Sequence, residues 1–97
     1  MATNIRTAFV SGTGTFVDSL TSVTVTDTRV RAINCVGTGI VIITGASTDP
    51  FGNTIGGRAK FQVNGSLYNE LPDNGIRMAG NVIVSAASTI STTIYYG

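Results

Sequence analysis

Five carboxylates, one lysine, five arginines, three tyrosines and a single cysteine are all the ionisable side chains in this sequence, and there is no histidine. General acid–base catalysis near neutral pH draws on histidine or on paired carboxylates tuned by their surroundings. Asp18, Asp27, Asp49 and Asp73 each fall in a predicted turn, where a solvated aspartate is the simple expectation. Glu70 precedes a Leu-Pro turn and is expected to be solvated too. A serine nucleophile would need a base, and Lys60 is the only lysine. These residues therefore read as non-catalytic, with no cofactor and no metal implied. Cys35 lies in strand spacing beside Ile33, which predicts a buried thiol that reacts slowly. One cysteine excludes an internal disulfide framework, and without histidine a zinc site lacks ligands.

The glycine-rich pieces Gly12-Thr-Gly14 and Gly37-Thr-Gly39 have the Gly-x-Gly spacing found in phosphate loops. Neither leads into a helix or is followed by Lys-Ser/Thr, so both read as turns. Asn64-Gly-Ser66 matches the glycosylation pattern but falls in a predicted hairpin turn, and reads as coincidence. Arg6, Arg29, Arg31, Arg58 and Arg77 are scattered and balanced by acids, giving a net charge of +1. That is not the basic stripe with interleaved aromatics expected of a nucleic-acid binder. Arg29 and Arg31 read either as a solvated strand end or as ion-pairing groups at a subunit boundary.

The elements that must hold these residues are strands. Thr, Val and Ile supply 35 of the 97 residues and Leu with Met only five; Glu and Lys occur once each. β-branched residues favour a pleated surface and the good helix formers are scarce. A chain of this length makes one domain, residues 1–97. Charged residues are 11% of the total, against about 25% in an ordinary soluble domain. So little self-repulsion points to a protein that works against other protein surface. No apolar leader is visible at the N-terminus, and the longest apolar run, Ile40–Ile43, is far short of a membrane span. The expectation is synthesis in a cytoplasm, with no membrane partner.

Asn64-Gly65 between alternating runs predicts a two-residue hairpin turn. That turn would set Phe61 opposite Tyr68 and place Phe61, Val63 and Tyr68 on one face. Other strands are expected at Ile5–Val10, Thr21–Thr26 (Val23 and Val25 on one face), Thr28–Val36, Ile40–Thr44, Ile76–Met78, Asn81–Ala86 and Thr92–Tyr96. Asp27-Thr28 is expected to turn the chain. Arg29 and Arg31 share parity with Ile33 and Cys35, so either a bulge switches the faces or the arginines reach past the sheet edge. Ile40–Thr44 lacks alternation and predicts burial on both faces. Gly45–Gly57 reads as the one long irregular loop, with a turn at Asp49-Pro50-Phe51-Gly52-Asn53. The fold class that follows is all-β: a single β-sandwich or jelly-roll-like domain of about eight short antiparallel strands.

Three pieces, Thr26-Asp-Thr-Arg-Val-Arg-Ala-Ile33, Leu71-Pro-Asp-Asn-Gly-Ile-Arg-Met78 and Thr93-Ile-Tyr-Tyr-Gly97, resemble small β-rich virion proteins of tailed bacteriophages, especially phages of aquatic bacteria. The resemblance covers about the last three-quarters of the chain; the Gly45–Gly57 loop departs from it. It implies a structural, non-enzymatic role: first a capsid decoration (cement) protein on the major capsid protein, commonly as a homotrimer, and second a tail or fibre component. Ala2, Thr3, Asn4, Ile5, Arg6, Arg29, Arg31, Phe51 and Asn53 are the expected partner contacts. A carbohydrate-binding module would want exposed aromatics on a rim; Phe51, Tyr95 and Tyr96 are the only candidates, and the two tyrosines are better explained as strand residues.

Overall fold

Strand-forming residues dominate, and the computed structural model is correspondingly built of strands. It describes residues 5–53, 55–71 and 75–97, so the expected contacts Ala2, Thr3 and Asn4, and the Asp73 turn position, lie outside the described residues. Among the described residues there are seven strands and no helix: β1 Arg6–Ser11, β2 Gly14–Thr15, β3 Val17–Asp18, β4 Thr26–Gly45, β5 Arg58–Glu70, β6 Ile76–Ser85 and β7 Ser91–Tyr96. They form one sheet in the order β2-β6-β4-β7-β1-β3, with β5 added on β4.

The sheet curls until it nearly closes into a barrel. β4 meets β6 twice: Thr26–Val30 against Ile76–Asn81, and Ile42–Gly45 against Val82–Ser85. Within each segment the residue numbers run in opposite senses (Val30↔Ile76 to Thr26↔Asn81, then Ile42↔Ser85 to Gly45↔Val82), so each pairing is locally antiparallel. The ring is completed where the chain crosses from β2, paired with β6, to β3, paired with β1. Between them the Phe16 N–H donates to the Val82 carbonyl at 2.9 Å, and the Phe16 carbonyl accepts from Val25 N–H at 3.0 Å. Phe16 is fully buried at this seam. It joins Val30, Ile33, Val41, Ile43, Met78, Ile90 and Ile94 in the interior.

Of the two alternatives for the arginines, β4 shows the bulge. Val30 pairs with Tyr96 and Ala32 with Tyr95, so Arg31 is the extra residue. Before it Val30 faces inward; after it Ile33, Cys35, Val41 and Ile43 do.

Several local expectations are corrected. Asn64-Gly65 is not a turn: β5 runs straight through it, with Asn64 opposite Thr38 and Gly65 opposite Gly37. Phe61 therefore faces Val41, and Tyr68 points outward beside Asn34. The unbroken alternation Ala59, Phe61, Val63, Gly65, Leu67 is the signature of a continuous strand, and it outweighs the turn dipeptide. Gly37 and Gly39 likewise sit inside β4. A Cβ on Gly37 would lie 2.9 Å from Ile90 Cγ1, so here the sheet bends over a buried side chain. Asp27 lies inside β4 at φ 48° instead of turning the chain. Thr21–Thr26 is not a strand of its own: Thr24 bridges to Val17, Val25 bonds to Phe16 and Val82, and Thr26 already belongs to β4, with Val25 buried but Val23 exposed. Ile40–Thr44 is buried on one face only, with Ile40 exposed. Ile76–Met78 and Asn81–Ala86 merge into β6, so long strands replace some of the short ones expected. In β7, Ile94 and Tyr96 point inward and Tyr95 outward, as their spacing predicts.

At one junction three backbones meet with no room for side chains. A Cβ on Gly45 would lie 2.5 Å from the Ala79 carbonyl oxygen and 2.7 Å from its nitrogen; a Cβ on Gly56 would meet the same carbonyl at 2.5 Å. Gly45→Ala should therefore cost roughly 1–3 kcal/mol or more, because the clash is with backbone that cannot rotate away. Gly65→Val should cost about 1–2 kcal/mol, from its φ of +88° alone, since space is open around it. Urea denaturation of both variants tests this, and a Gly45→Ala protein as stable as the parent would show that the strands do not converge there. Cys35 is fully buried beside Thr92, and burial pushes its thiol pKa up. A thiol reagent should modify it slowly in native protein and quickly after denaturation; rapid native labelling would contradict the packing.

Candidate contact surface

The start of β4 gathers the three sequence pieces that carry the virion resemblance. Thr28 pairs with Met78 and Val30 with Ile76 on one side; Val30 pairs with Tyr96 and Ile33 with Ile94 on the other. Both arginines tie the neighbouring chain segments to this strand. The Arg31 Nε donates to the Gly97 carbonyl at 3.1 Å, Gly97 N–H donates to the Arg29 carbonyl at 3.2 Å, and an Arg29 guanidinium nitrogen donates to the Gly75 carbonyl at 3.4 Å. Of the two readings for these arginines, the structure adds a third: each guanidinium serves a backbone carbonyl within the chain.

Beside this point is a shallow groove of about 290 Å³ lined by Ile5, Arg31, Tyr68, Glu70, Leu71 and Tyr95, with Ala32 at its floor. Tyr68 and Tyr95 meet edge to face, 6.0 Å between centroids at 75°. This aromatic pair replaces the expected Phe61–Tyr68 pair. It was invisible in the sequence because it joins β5 to β7 across β4. An uncharged row continues from it over the outer face: Tyr68, Asn34, Thr93, Phe9 and Val17 stand side by side on five strands. Phe9 is 53% exposed and Tyr68 58%. Such a face has little electrostatic reason to stay in water.

Of the expected contacts, Ile5 and Arg31 share the groove. Arg6 lies instead beside Asp18 and Tyr96. Arg29 is exposed, and its side chain is turned to Gly75. Phe51 and Asn53 are apart from all of these, in the loop that joins β4 to β5. Asp49 builds that tip: its Oδ1 accepts from the N–H groups of Phe51 and Asn53, both at 2.9 Å. These bonds, with that of Asn53 foremost, lower the Asp49 pKa. Phe51 is left 89% exposed. At the base of the loop, Ala46 N–H donates to the Asn81 carbonyl and Ser47 N–H to the Ala79 carbonyl, so the loop is anchored on β6.

Asp18 corrects the expectation of a solvated turn residue. It is buried, 7% exposed, and its carboxylate collects three donors. The Tyr96 hydroxyl donates to Oδ2, and the N–H groups of Leu20 and Thr21 donate to Oδ1, both at 2.9 Å. The Tyr96 bond first, and then the two N–H groups, lower its pKa from 3.8 to about 2. The same contact, after burial, raises that of Tyr96. The short-range signal was present, since an aspartate followed by N–H groups two and three residues on makes an Asx turn. Its burial was not legible, because Tyr96 is 78 residues away.

Because the folded pKa of Asp18 is depressed, its contribution to stability is complete above the unfolded value near 3.8 and is lost as pH falls toward 2. The melting temperature should fall on acidification through this window, and Asp18→Asn should be less stable at neutral pH with a shallower acid decline. An Asp18→Asn protein with the parent's acid profile would refute the assignment. The chain matches no family model, no curated protein and no solved structure, so the surface itself carries the functional reading.

Proposed function

We propose that this chain is a non-enzymatic structural protein of a tailed-phage virion, most simply a capsid decoration protein that binds the outside of the head and stabilises it. The observation that carries this is the coming together of the three resembling pieces. Residues 26–33, 71–78 and 93–97 are far apart in sequence, yet their described residues form one ladder around Arg29 and Arg31. The uncharged outer row and the exposed Phe51 loop supply contact area of the kind that protein partners cover. A repeated lattice needs only a modest contribution from each copy, since avidity multiplies weak sites. The second reading, a tail or fibre component, is favoured by Phe51 alone, which stands at a loop tip as a sugar- or receptor-binding aromatic would.

Purified protein added to heads prepared without it should bind saturably and raise the temperature at which the heads lose DNA. Tyr95→Ala and Phe51→Ala should each weaken binding by about tenfold or more if their side chains are anchors. Binding to tails but not to heads would support the second reading. Binding to neither would overturn the proposal.

A further inference from the structure

Among the described residues, β5 leaves one complete strand edge without a partner. Its ladder with β4 runs unshifted from Ala32↔Glu70 to Thr44↔Arg58, through both central glycines. At one end Gly45 N–H donates to the Gly57 carbonyl at 3.1 Å; at the other Leu71 N–H donates to the Arg31 carbonyl at 2.9 Å. Odd-numbered residues therefore turn their backbone groups toward β4, because a strand presents alternate residues to alternate edges. The even-numbered residues from Arg58 to Glu70 turn theirs away. Those groups find no backbone partner among the described residues, and all seven residues are exposed.

We propose that this edge pairs with the same edge of a second copy, giving a twofold dimer whose sheet is continuous across the axis. A head-to-tail arrangement would need a second long edge, whereas the strands at the ends of the sheet path, β2 and β3, are two residues each. An isologous contact needs only one. The register that overlaps the whole strand centres on Asn64. It sets Arg58 opposite Glu70 of the second copy, Lys60 opposite Tyr68, Gln62 opposite Ser66 and Asn64 opposite itself. Every pair joins two even-numbered residues, as backbone bonding across this edge requires. No like charges meet, and the Arg58–Glu70 pairing occurs twice by symmetry. Free sheet edges of this length are a known route to strand addition. This inference does not depend on the virion reading, and its test uses the free protein alone.

Sedimentation at micromolar concentration should give twice the 10.0 kDa chain mass. Gln62→Pro removes an N–H that faces only the free edge, so it should stay folded and sediment as a monomer. Glu70→Arg should weaken the dimer by about tenfold through repulsion from Arg58, and Arg58→Glu in the same chain should restore it. Asn64→Cys should form a covalent dimer under mild oxidation, while the parent, whose one thiol is buried, should not. A parent protein with the mass of one chain or of three overturns the proposal. So does an Asn64→Cys protein that fails to cross-link, or a folded Gln62→Pro that remains a dimer.

Discussion

The fold depends on β4 meeting β6 at both of its ends. A twenty-residue strand can do this only by curling, and the curl brings the backbones of β4, the Gly56–Gly57 segment and β6 into direct contact at Gly45, Gly56 and Ala79. Hydrogen bonds run across the contact: Gly45 N–H donates to the Gly57 carbonyl and Ala79 N–H to the Gly56 carbonyl at 2.7 Å. Glycine is needed because any Cβ would occupy the space of a neighbouring peptide. Asp27 closes the same region from the other end of β4, accepting from Gly80 N–H at 2.7 Å where β6 bends.

Two further devices let the curled sheet enclose a core. The Arg31 bulge exchanges the inward and outward faces of β4, so that Val30 and Ile33, of opposite parity, both point inside. Gly37 and Gly39 give way to Ile90, which fills the bend from above. At Gly37 and Gly39, residues with the composition of a turn serve curvature instead. That is the common role of glycine and of bulges in barrels.

Polar groups are placed with similar economy. The one strongly perturbed carboxylate among the described residues, Asp18, holds the chain after β3 against the end of β7. Arg29 and Arg31 bind carbonyls of Gly75 and Gly97, which fastens the β6 and β7 ends to β4. With its few charges used internally or at the rims, the outer face is left to Tyr, Phe, Thr and Asn. This is the property on which the proposed contact with other protein rests.

The all-β class followed from composition, because a chain rich in Thr, Val and Ile and poor in helix formers has few ways to bury its apolar surface except in sheet. Alternation correctly placed β1, the inward Ile94 and Tyr96 and the buried Cys35. It also marked Arg29 and Arg31 as out of step with Ile33, leaving a bulge and a reach past the sheet edge as alternatives. These are short-range properties, carried by the two-residue period of a strand. Tertiary structure decided what glycine meant. Asn64-Gly65 and Gly37-Thr-Gly39 have the composition of turns, yet each faces the other across the β4–β5 ladder, and thirteen paired residues outweigh a local preference. It also decided the fate of Asp18, the Tyr68–Tyr95 pair and the groove beside Arg31. Each joins residues from strands that are distant in sequence, and only the closing of the sheet brings them together.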